Sequence, residues 1–216
     1  MLISALHKRV SRLGAQPLIT YYDGEEGSRI ELSAVTFANW VDKTANLIAD
    51  LGHDDGEPID IALASSHPGH WVTLVWIAAA WQRGCAVNPD VTGADLLVVG
   101  PGDDRRAETT VACSLHPLGL GFPTPPANAV DYREVFGQPD LHDMAVGGES
   151  YEWDGAAAPA VMGRDDRVLL RDPAPGWETV ARALVEPVLG TGSTVVVVRT
   201  SDEGVGRISA GERVAH

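Results

Sequence analysis

Lysine is nearly absent from this sequence, and positive charge is scarce altogether. Of the 216 residues only Lys8 and Lys43 are lysines; the other 14 basic residues are arginines, and 30 acidic residues bring the net charge to −14 at neutral pH. A strongly acidic surface repels phosphate backbones and anionic lipids unless a local basic patch intervenes. The sequence has no such patch. It therefore predicts neither a nucleic-acid partner nor a membrane partner.

Cysteine and long hydrophobic runs are also scarce. The two cysteines, Cys85 and Cys113, belong to no Cys-x-x-Cys pair, which argues against a disulfide scaffold and a structural zinc site. The longest strongly apolar run, Trp71 to Trp81, is far shorter than the roughly 20 residues of a membrane-spanning helix. Residues 1–10 contain no apolar core followed by a small-residue cleavage site. These absences favour a cytoplasmic protein.

The predicted elements begin with a hairpin and a long helix. Two short β-prone runs, Leu18–Asp23 and Arg29–Ser33, flank a loop that contains glycine. Ser33 then stands at the N-cap of a helix that ends before Gly52, because apolar residues recur there every three to four positions. The apolar stripe of this helix would pack on a sheet and leave four polar residues in water: Asp42, Lys43, Asn46 and Asp50.

Alternating strands and helices follow. Ile59–Ala64 has the apolar composition of a buried strand. The segment from Pro68 to Gln82 is apolar on nearly all sides, which is typical of a helix covered by several neighbours. Three more strand candidates come after it: Cys85–Asn88, Leu96–Val99 and Thr109–Ser114. This βαβ alternation predicts a parallel sheet.

Residues 116–163 are rich in proline and glycine and contain one candidate element, a short helix at Tyr132–Phe136. A loop of this length is uncommon inside a compact domain, so the stretch is functional, mobile or built from elements that the pattern does not reveal. It has few periodic apolar anchors. We therefore expect it to be the least stable part of the fold and the first to be cut by proteases.

Regular elements return after this loop and complete a single domain, residues 1–216. A strand at Arg167–Leu170 precedes a helix from Trp177 to Val188, in which Pro187 should kink the last turn. The β-branched run Thr194–Val198 has the composition of a strand that is buried on both faces. The expected fold class is α/β, with a mostly parallel sheet flanked by helices and an N-terminal β-hairpin.

In this order the elements resemble the N-terminal part of the adenylate-forming acyl-CoA synthetases, the AMP-binding enzymes. The run Gly84–Pro89 is similar to the Gly-Ala-Val-x-x-Pro segment of that family. Farther on, Asp166–Leu170, the helix that starts at Trp177 and the strand after Gly190 resemble the elements that follow the family's phosphate loop. The likeness covers residues 16–200. It extends to a group of truncated relatives from high-GC Gram-positive bacteria that has no assigned activity.

Departures from the family pattern determine the functional expectation. Synthetases hold the phosphates of ATP in a Ser/Thr/Gly-rich loop that ends in Pro-Lys. This loop should fall between Tyr132 and Asp166, where the sequence has no such run and no lysine. The family's later motifs and the domain with its catalytic lysine would come after His216, and Pro173–Trp177 replaces an aromatic–histidine pair. The resemblance therefore implies a non-catalytic interaction or regulatory module, with no catalytic residue, no metal and no cofactor.

Two other functions stay open: a binder of a small acyl or nucleotide ligand in a remnant cleft, and one half of a split ligase that another chain completes. The sequence also predicts a homodimer or another protein chain as partner. The apolar helix at Trp71–Trp81 and the strand at Thr194–Val198 need cover on more than one side, and only a short polar tail follows Val198. Large exposed apolar patches usually mark association sites.

Two motifs have a spacing that recurs in functional sites. Gly190–Ser193 is glycine-rich, but it runs from a helix into a strand, which is the reverse of a phosphate loop. His67 and His70 are spaced like metal ligands, yet no cysteine or carboxylate lies in the same helical turn. We therefore expect a structural role for the glycines and a capping or surface role for the histidines.

Structural interpretations are favoured for the remaining candidates. Cys85 and Cys113 lie in apolar strands without a neighbouring histidine and are expected to be buried, inert thiols. Trp71, Trp76 and Trp81 are expected to pack in the core and not to line a ligand pocket. The acidic residues of the long loop lack the spacing of a calcium loop and are expected to form a solvated face: Asp131, Glu134, Asp140, Asp143, Glu149, Glu152 and Asp154.

Overall fold

A computed structural model describes residues 1–142 and 148–214 of the chain. Its strands form two sheets, one of four strands and one of seven, where the sequence pattern predicted a single sheet. Helices flank both sheets, so the α/β class and the N-terminal hairpin are confirmed. The first helix, α1 at Leu2–Leu13, is an element that the sequence pattern did not predict.

The four-stranded sheet joins segments from the two ends of the chain. It contains the hairpin strands β1 (Pro17–Asp23) and β2 (Ser28–Ser33) and the late strands β10 (Arg167–Arg171) and β11 (Ser193–Val198). The strand order is β10-β11-β1-β2, and only β2 is antiparallel to its neighbour. The carboxyl ends of β1, β10 and β11 therefore lie at one edge of this sheet.

The seven-stranded sheet is built from the middle of the chain. Its strands are β3 (Ile59–Ile61), β4 (Val87–Asn88), β5 (Leu96–Val99), β6 (Thr109–Ala112), β7 (Val130–Asp131), β8 (Glu152–Trp153) and β9 (Ala156–Ala157). The strand order is β7-β6-β5-β3-β4-β8-β9. Strands β3 to β8 are parallel, and β9 is antiparallel to its neighbour β8.

Helix α2 (Ala34–Asp50) matches the prediction at both ends. The Ser33 hydroxyl caps it by accepting a hydrogen bond from the Thr36 amide. One expectation is wrong, because Asp42 is buried and not solvated: its Oδ1 accepts a hydrogen bond of 2.7 Å from Gln82 Nε2. Burial raises the pKa of the Asp42 carboxyl. The polar face of α2 is therefore narrower than its sequence indicated.

Helix α4 (Trp71–Gln82) is buried along its whole length, as its apolar composition predicted. The segment before it differs from the expectation. The predicted strand Ile59–Ala64 stops at Ile61, and the chain turns into the short helix α3 (Leu63–Ser66). In the described part of the chain no helix, α4 included, is both long and apolar enough to cross a bilayer.

Residues 116–163 contain more structure than the sequence pattern predicted. The short helix is present as a 3-10 helix at Tyr132–Gly137, directly after β7, and β8 and β9 form a hairpin farther on. The Tyr132 hydroxyl shares a hydrogen bond of 2.6 Å with Thr44 of α2, so this helix is anchored to the core. The low stability of the stretch remains a prediction.

The predicted helix from Trp177 to Val188 is irregular ahead of its proline. It consists of α5 (Trp177–Val180), a π-helix (Ala181–Val185) and α6 (Glu186–Leu189). Pro187 has no N–H to donate to the preceding turn, and π-type turns are a common site of such disturbance. The interruption therefore lies one turn earlier than the predicted kink. The last helix, α7, spans Asp202–Glu212.

The two elements that suggested a partner chain are covered within a single chain. All residues of α4 are buried, and so are Ser193–Val197 of β11. The expectation that these elements expose apolar faces is wrong, because the second sheet, α1 and the segment from 177 to 189 supply the missing cover. Self-association remains a prediction, but uncovered faces of α4 and β11 no longer support it.

Candidate functional site

Carboxyl ends of strands from both sheets border one cleft, which we call the strand-end cleft. In open α/β sheets, ligands bind outside the carboxyl ends of the strands. Here β1 ends at Asp23, β5 at Val99 and β11 at Val198, and residues at or after these ends line a cavity of about 220 Å³. The lining residues are Tyr21, Asp23, Glu26, Ser28, His67, His70, Pro101, Ser114, Leu115, Pro117 and Arg199.

Strained backbone lies around this cleft. Leu115, Asp172 and Arg199 have φ angles of 60°, 40° and 52°, and they follow β6, β10 and β11. For a residue other than glycine such a conformation costs on the order of 1–3 kcal/mol and persists only where neighbours hold it. The Asp172 carboxylate accepts a hydrogen bond of 2.9 Å from the Arg199 amide, so two of these turns support each other. Such strain clusters at functional sites.

Arg199, the arginine of the cleft, forms ion pairs with three carboxylates. The Arg199 guanidinium donates two hydrogen bonds to the Asp23 carboxylate and lies 3.2 Å from a carboxylate oxygen of Glu25 and 3.6 Å from one of Glu26. Burial alone would raise the pKa of Asp23, but hydrogen bonds from Arg199 and from the amides of Glu25 and Glu26 outweigh it and lower the pKa. The half-exposed Arg199 guanidinium is therefore paired with carboxylates of its own chain.

His70 has one ring nitrogen committed to the fold and one available to the cleft. Its Nδ1 accepts a hydrogen bond of 3.2 Å from the Val72 amide and so caps α4. An imidazole that accepts at Nδ1 carries its proton on Nε2 when it is neutral. Burial, followed by the nearby His67, lowers the pKa of His70 to about 3, so the ring is neutral at physiological pH. No described residue forms a hydrogen bond with Nε2.

Two hydroxyl groups of the cleft also lack a partner among the described residues. Tyr21 is only 6% exposed and meets the His70 ring edge-on, with 4.6 Å between ring centroids. Burial, and then the Asp23 carboxylate, raise the pKa of the Tyr21 phenol, which therefore keeps its proton. The Ser28 Oγ is buried without a hydrogen-bond partner. The cleft thus presents neutral donors that the fold does not use.

His67 lies beside these groups but does not activate a nucleophile. Its Nδ1 is 3.0 Å from the Ser66 Oγ, and the Ser66 hydroxyl is placed to donate its proton to the Ala62 carbonyl at 3.1 Å. Burial, and then Arg199, lower the pKa of His67. In residues 1–142 and 148–214, no three His, Cys, Asp or Glu side chains converge to hold a metal ion. The contacts of His67 are therefore with the backbone and with Ser66, and not with a nucleophile.

The Gly190–Ser193 turn is occupied by Arg9 of α1. The Arg9 guanidinium donates to the carbonyls of Gly190 at 3.0 Å and Gly192 at 2.6 Å. The Thr191 amide donates to the Asp165 carboxylate at 2.9 Å. A phosphate loop needs amides that point at the ligand, whereas this turn directs carbonyls at an arginine. Its role is structural.

The thiols and tryptophans belong to the core. Cys85 and Cys113 are buried, as predicted, and burial raises the pKa of Cys85 to about 11 and that of Cys113 further. Trp71, Trp76 and Trp81 of α4 are at most 1% exposed. The pocket that an aromatic ligand would need is therefore filled by their own packing.

The acidic residues of the long loop do not all face water. Asp131 is buried and accepts hydrogen bonds from the amides of Phe122 and Arg133. Glu149 is buried and accepts one of 2.6 Å from the Ile3 amide, at the first turn of α1. The predicted solvated face is wrong for these two, because each carboxylate satisfies backbone amides that have no helical partner. Asp143 lies outside the described residues.

The fold is that of the N-terminal part of acyl-CoA synthetases. It is defined by two mixed sheets, an N-terminal hairpin and a cleft at the strand ends. A Brucella canis acyl-CoA synthetase matches 99% of this chain and 46% of its own, with a TM-score of 0.72 and 15% identity. The N-terminal domain of FACL13 from Mycobacterium tuberculosis, bound to an inhibitor, matches 99% of this chain and 61% of its own, with a TM-score of 0.67 and 11% identity. The chain thus spans about half the length of these proteins.

Sequence similarity gives the family. A TIGR03089 family protein of Mycobacterium tuberculosis (strain ATCC 25618 / H37Rv) is 31% identical over an alignment of 190 positions, and the match covers 82% of this chain and 72% of that protein. The chain belongs to the TIGR03089 family. No protein-family model matches the sequence. The expected resemblance to the front part of the synthetases is confirmed.

Sequence reasoning named the histidines of the cleft but missed the other polar groups. Tyr21 and Ser28 belong to a hairpin that was assigned only a structural role, and Asp23 and Arg199 were not candidates at all. The signal that could have found Asp23 and Arg199 is their position, because each stands at or directly after the carboxyl end of a strand in a parallel arrangement. That arrangement joins segments from the two ends of the chain.

Proposed function

We propose that this chain is a non-catalytic acyl-CoA synthetase-like protein that acts as an interaction or regulatory module and does not form acyl adenylates. The observation that carries the proposal is the charge of the strand-end cleft. Adenylation needs preorganised cations and amides for charge that develops on phosphate oxygens. The cleft's arginine, Arg199, is engaged by three carboxylates, those of Asp23, Glu25 and Glu26. The residues present do not fit a nucleoside triphosphate.

The two lysines support the same proposal. Lys43 lies 2.8 Å from a carboxylate oxygen of Asp140 and also donates to the Gln138 carbonyl. Lys8 is exposed on α1. Neither lysine lines the strand-end cleft. In the window where a synthetase has its phosphate loop, the described residues 148–166 contain the β8–β9 hairpin, whose Glu152 carbonyl accepts a hydrogen bond from Trp81.

The direct test is ATP–pyrophosphate exchange with the purified full chain, Mg²⁺, ATP and a panel of carboxylic acids of increasing chain length. An active acyl-CoA synthetase serves as positive control, and heat-denatured protein sets the background. We expect no exchange above background with any acid. Exchange that depends on the acid and rises with protein concentration would contradict the proposal.

We also propose that the module binds a second copy of itself or another protein chain. Large apolar side chains are available outside the core: Leu118, Leu141 and Met162 are 71%, 82% and 89% exposed. Light scattering after size exclusion, at micromolar concentration, together with a pull-down from native lysate, tests this. A dimer mass or a recovered partner supports it, and a monomer without a partner contradicts it. Exchange activity that appears with a recovered chain would instead indicate one half of a split ligase.

A further inference from the structure

We propose that the strand-end cleft binds a small uncharged molecule through a carbonyl or hydroxyl oxygen, which accepts hydrogen bonds from the Tyr21 hydroxyl and from His70 Nε2. This inference rests on the proposed function, because a module that acts by binding needs a ligand. It gives that ligand a chemical class and the cleft three anchoring side chains, Tyr21, Ser28 and His70.

Hydrogen-bonding groups without a protein partner line the strand-end cleft. Tyr21 and His70 are 6% and 4% exposed, yet no described residue accepts from the Tyr21 hydroxyl or from His70 Nε2. The Ser28 Oγ is buried without a partner in the same cavity. Of these three atoms, only the Ser28 Oγ is fully shielded from solvent, and native proteins satisfy nearly all such atoms, because an unpaired one loses its hydration without compensation. The Tyr21 hydroxyl and His70 Nε2 belong to buried side chains that line the same cavity. A ligand oxygen between Tyr21 and His70 would satisfy both donors.

The His70 donor has a fixed orientation, which suits a binding site. Its Nδ1 is held by the Val72 amide at the start of α4, and its ring packs against Tyr21 and Trp71. The ring cannot rotate to use Nε2 elsewhere without losing the cap. Pre-oriented groups lower the entropy cost of binding.

The charges of the cleft exclude anions. Its ionised lining residues are Asp23, Glu26 and Arg199, whose charges leave one net negative charge. Both histidines of the lining have lowered pKa values and carry no charge at neutral pH. A carboxylate or phosphate would face this negative field without a free cation. An uncharged oxygen acceptor fits, and this separates the ligand from the anions that synthetases bind.

The volume of the strand-end cleft limits the size of the ligand. A cavity of about 220 Å³ has room for roughly seven water molecules, taking about 30 Å³ for each. It is smaller than the roughly 300–1,000 Å³ of most drug-sized ligand sites. The ligand, or the part of it that enters the cleft, therefore has on the order of ten non-hydrogen atoms.

The test compares two uncharged probes, benzamide and benzyl alcohol, with benzoate, which has the shape of benzamide but carries a negative charge. Each is titrated into the full ¹⁵N-labelled chain and followed by NMR. We expect benzamide or benzyl alcohol to shift the amide signals of Tyr21, Ser28 and Leu115, and benzoate to bind at least about ten-fold more weakly. No shift with either uncharged probe, or equal binding of benzoate, would overturn the proposal.

Two variants test the assigned donors, and a third is their control. Tyr21→Phe removes the hydroxyl and keeps the ring, and His70→Asn removes Nε2 while retaining a residue that caps helices well. Each substitution should lower the affinity for the uncharged probe that binds about five-fold, as expected for one lost hydrogen bond. Tyr151→Phe, a hydroxyl deletion outside the cleft, is the matched control and should leave binding unchanged. Unaltered binding in both cleft variants would overturn the assignment.

The outcomes distinguish this inference from the proposed function. If neither uncharged probe binds and no pyrophosphate exchange occurs, the ligand class is wrong and the non-adenylating function stands. If exchange occurs, the proposed function fails whatever the titration shows. If exchange is absent and the donors respond as expected, both hold.

Discussion

Two buried polar clusters of this protein use their hydrogen-bonding groups in opposite ways. Asp60 in β3 is 0% exposed, and its carboxylate accepts five hydrogen bonds, from the side chains of Asn88 and Thr92 and from the amides of Thr92, Gly93 and Ala94. In the strand-end cleft, Tyr21 and His70 present donors that no described residue uses. The first cluster is complete within the fold, whereas the second keeps donors for which the described residues supply no acceptor.

The hydrogen bonds of the Asp60 cluster hold the fold together, whereas the donors of the strand-end cleft do not. Burial alone would raise the pKa of Asp60, but the hydrogen bonds from Asn88, Thr92 and the amides outweigh it and lower the pKa. The turn that follows β4 is therefore fixed by a carboxylate in the core. Around the cleft the backbone is strained and donors are unpaired, which adds nothing to stability. Removing a group from the first cluster should lower stability, whereas removing an unpaired donor from the second should leave stability nearly unchanged.

The largest effect is expected for Asp60→Ala. The change leaves three amides and two side chains without their acceptor, so we expect the free energy of unfolding to fall by about 3 kcal/mol. Urea unfolding followed by circular dichroism measures it. Asp95→Ala, at an exposed carboxylate near the end of the same loop, is the control and should change stability by less than about 0.5 kcal/mol. Equal losses in both variants would remove the contrast between the clusters.

Acidification should lower the stability of the fold, because His70 is buried without a charge. The folded-state pKa of His70 is about 3, below the roughly 6.5 of an unfolded chain. Between these values only the unfolded state binds the proton, so stability should fall as pH drops below about 6.5, by about 1.4 kcal/mol per pH unit for this group. His67, whose pKa is also lowered, acts in the same direction.

Urea unfolding between pH 7.5 and pH 4.5 measures this slope. His70→Asn should flatten it, because asparagine does not titrate, and His7→Gln, at an exposed residue of α1, is the control that should leave it in place. An identical pH dependence in His70→Asn and the unmodified protein would show that His70 titrates normally.

Two tyrosine variants remove one hydroxyl with a hydrogen-bond partner and one without. Tyr132→Phe removes the buried hydrogen bond to Thr44, and we expect a loss of about 1.5 kcal/mol in the free energy of unfolding. Tyr21→Phe removes a hydroxyl without a partner among the described residues and should change stability by less than about 0.5 kcal/mol. Thermal or urea unfolding of both variants decides. A larger loss in Tyr21→Phe would mean that the fold does use this hydroxyl.

Thiol labelling gives the smallest expected signal. Cys85 and Cys113 are buried, and burial raises their pKa values, so neither should react with iodoacetamide at pH 8 in the folded protein. Mass spectrometry of the labelled chain measures this, and labelling in denaturant shows that both thiols can react. A Glu26→Cys variant, whose side chain lines the cleft, should be labelled quickly. Rapid labelling of Cys113 would mean that the core opens easily.

Elements with strong local signals were predictable from the sequence. The Ser33 cap and the apolar repeat gave α2 its correct bounds, and the glycine-containing loop indicated the hairpin. α1 was missed because His7, Lys8 and Arg9 interrupt its apolar residues, although Leu2, Ile3 and Leu6 face the core. Arg9 itself is buried, because it binds carbonyls of a turn at the other end of the chain.

Features that depend on distant contacts were not predictable. Asp42 is buried because Gln82 of another helix meets it, and no local pattern in α2 indicates this. The division into two sheets depends on the pairing of β1 with β11, which joins segments far apart in the sequence. The cleft depends on the same pairing, so Tyr21, Ser28 and His70 come together only in three dimensions.

Long-range ¹H–¹⁵N NMR of the histidine rings shows whether the cleft holds neutral donors that the fold leaves unused. For His70 in the unliganded full chain we predict a neutral imidazole at pH 5.5, with Nδ1 unprotonated and the proton on Nε2. A His70 ring that titrates near pH 6.5, or that carries its proton on Nδ1, would mean that His70 offers no neutral Nε2 donor to the cleft.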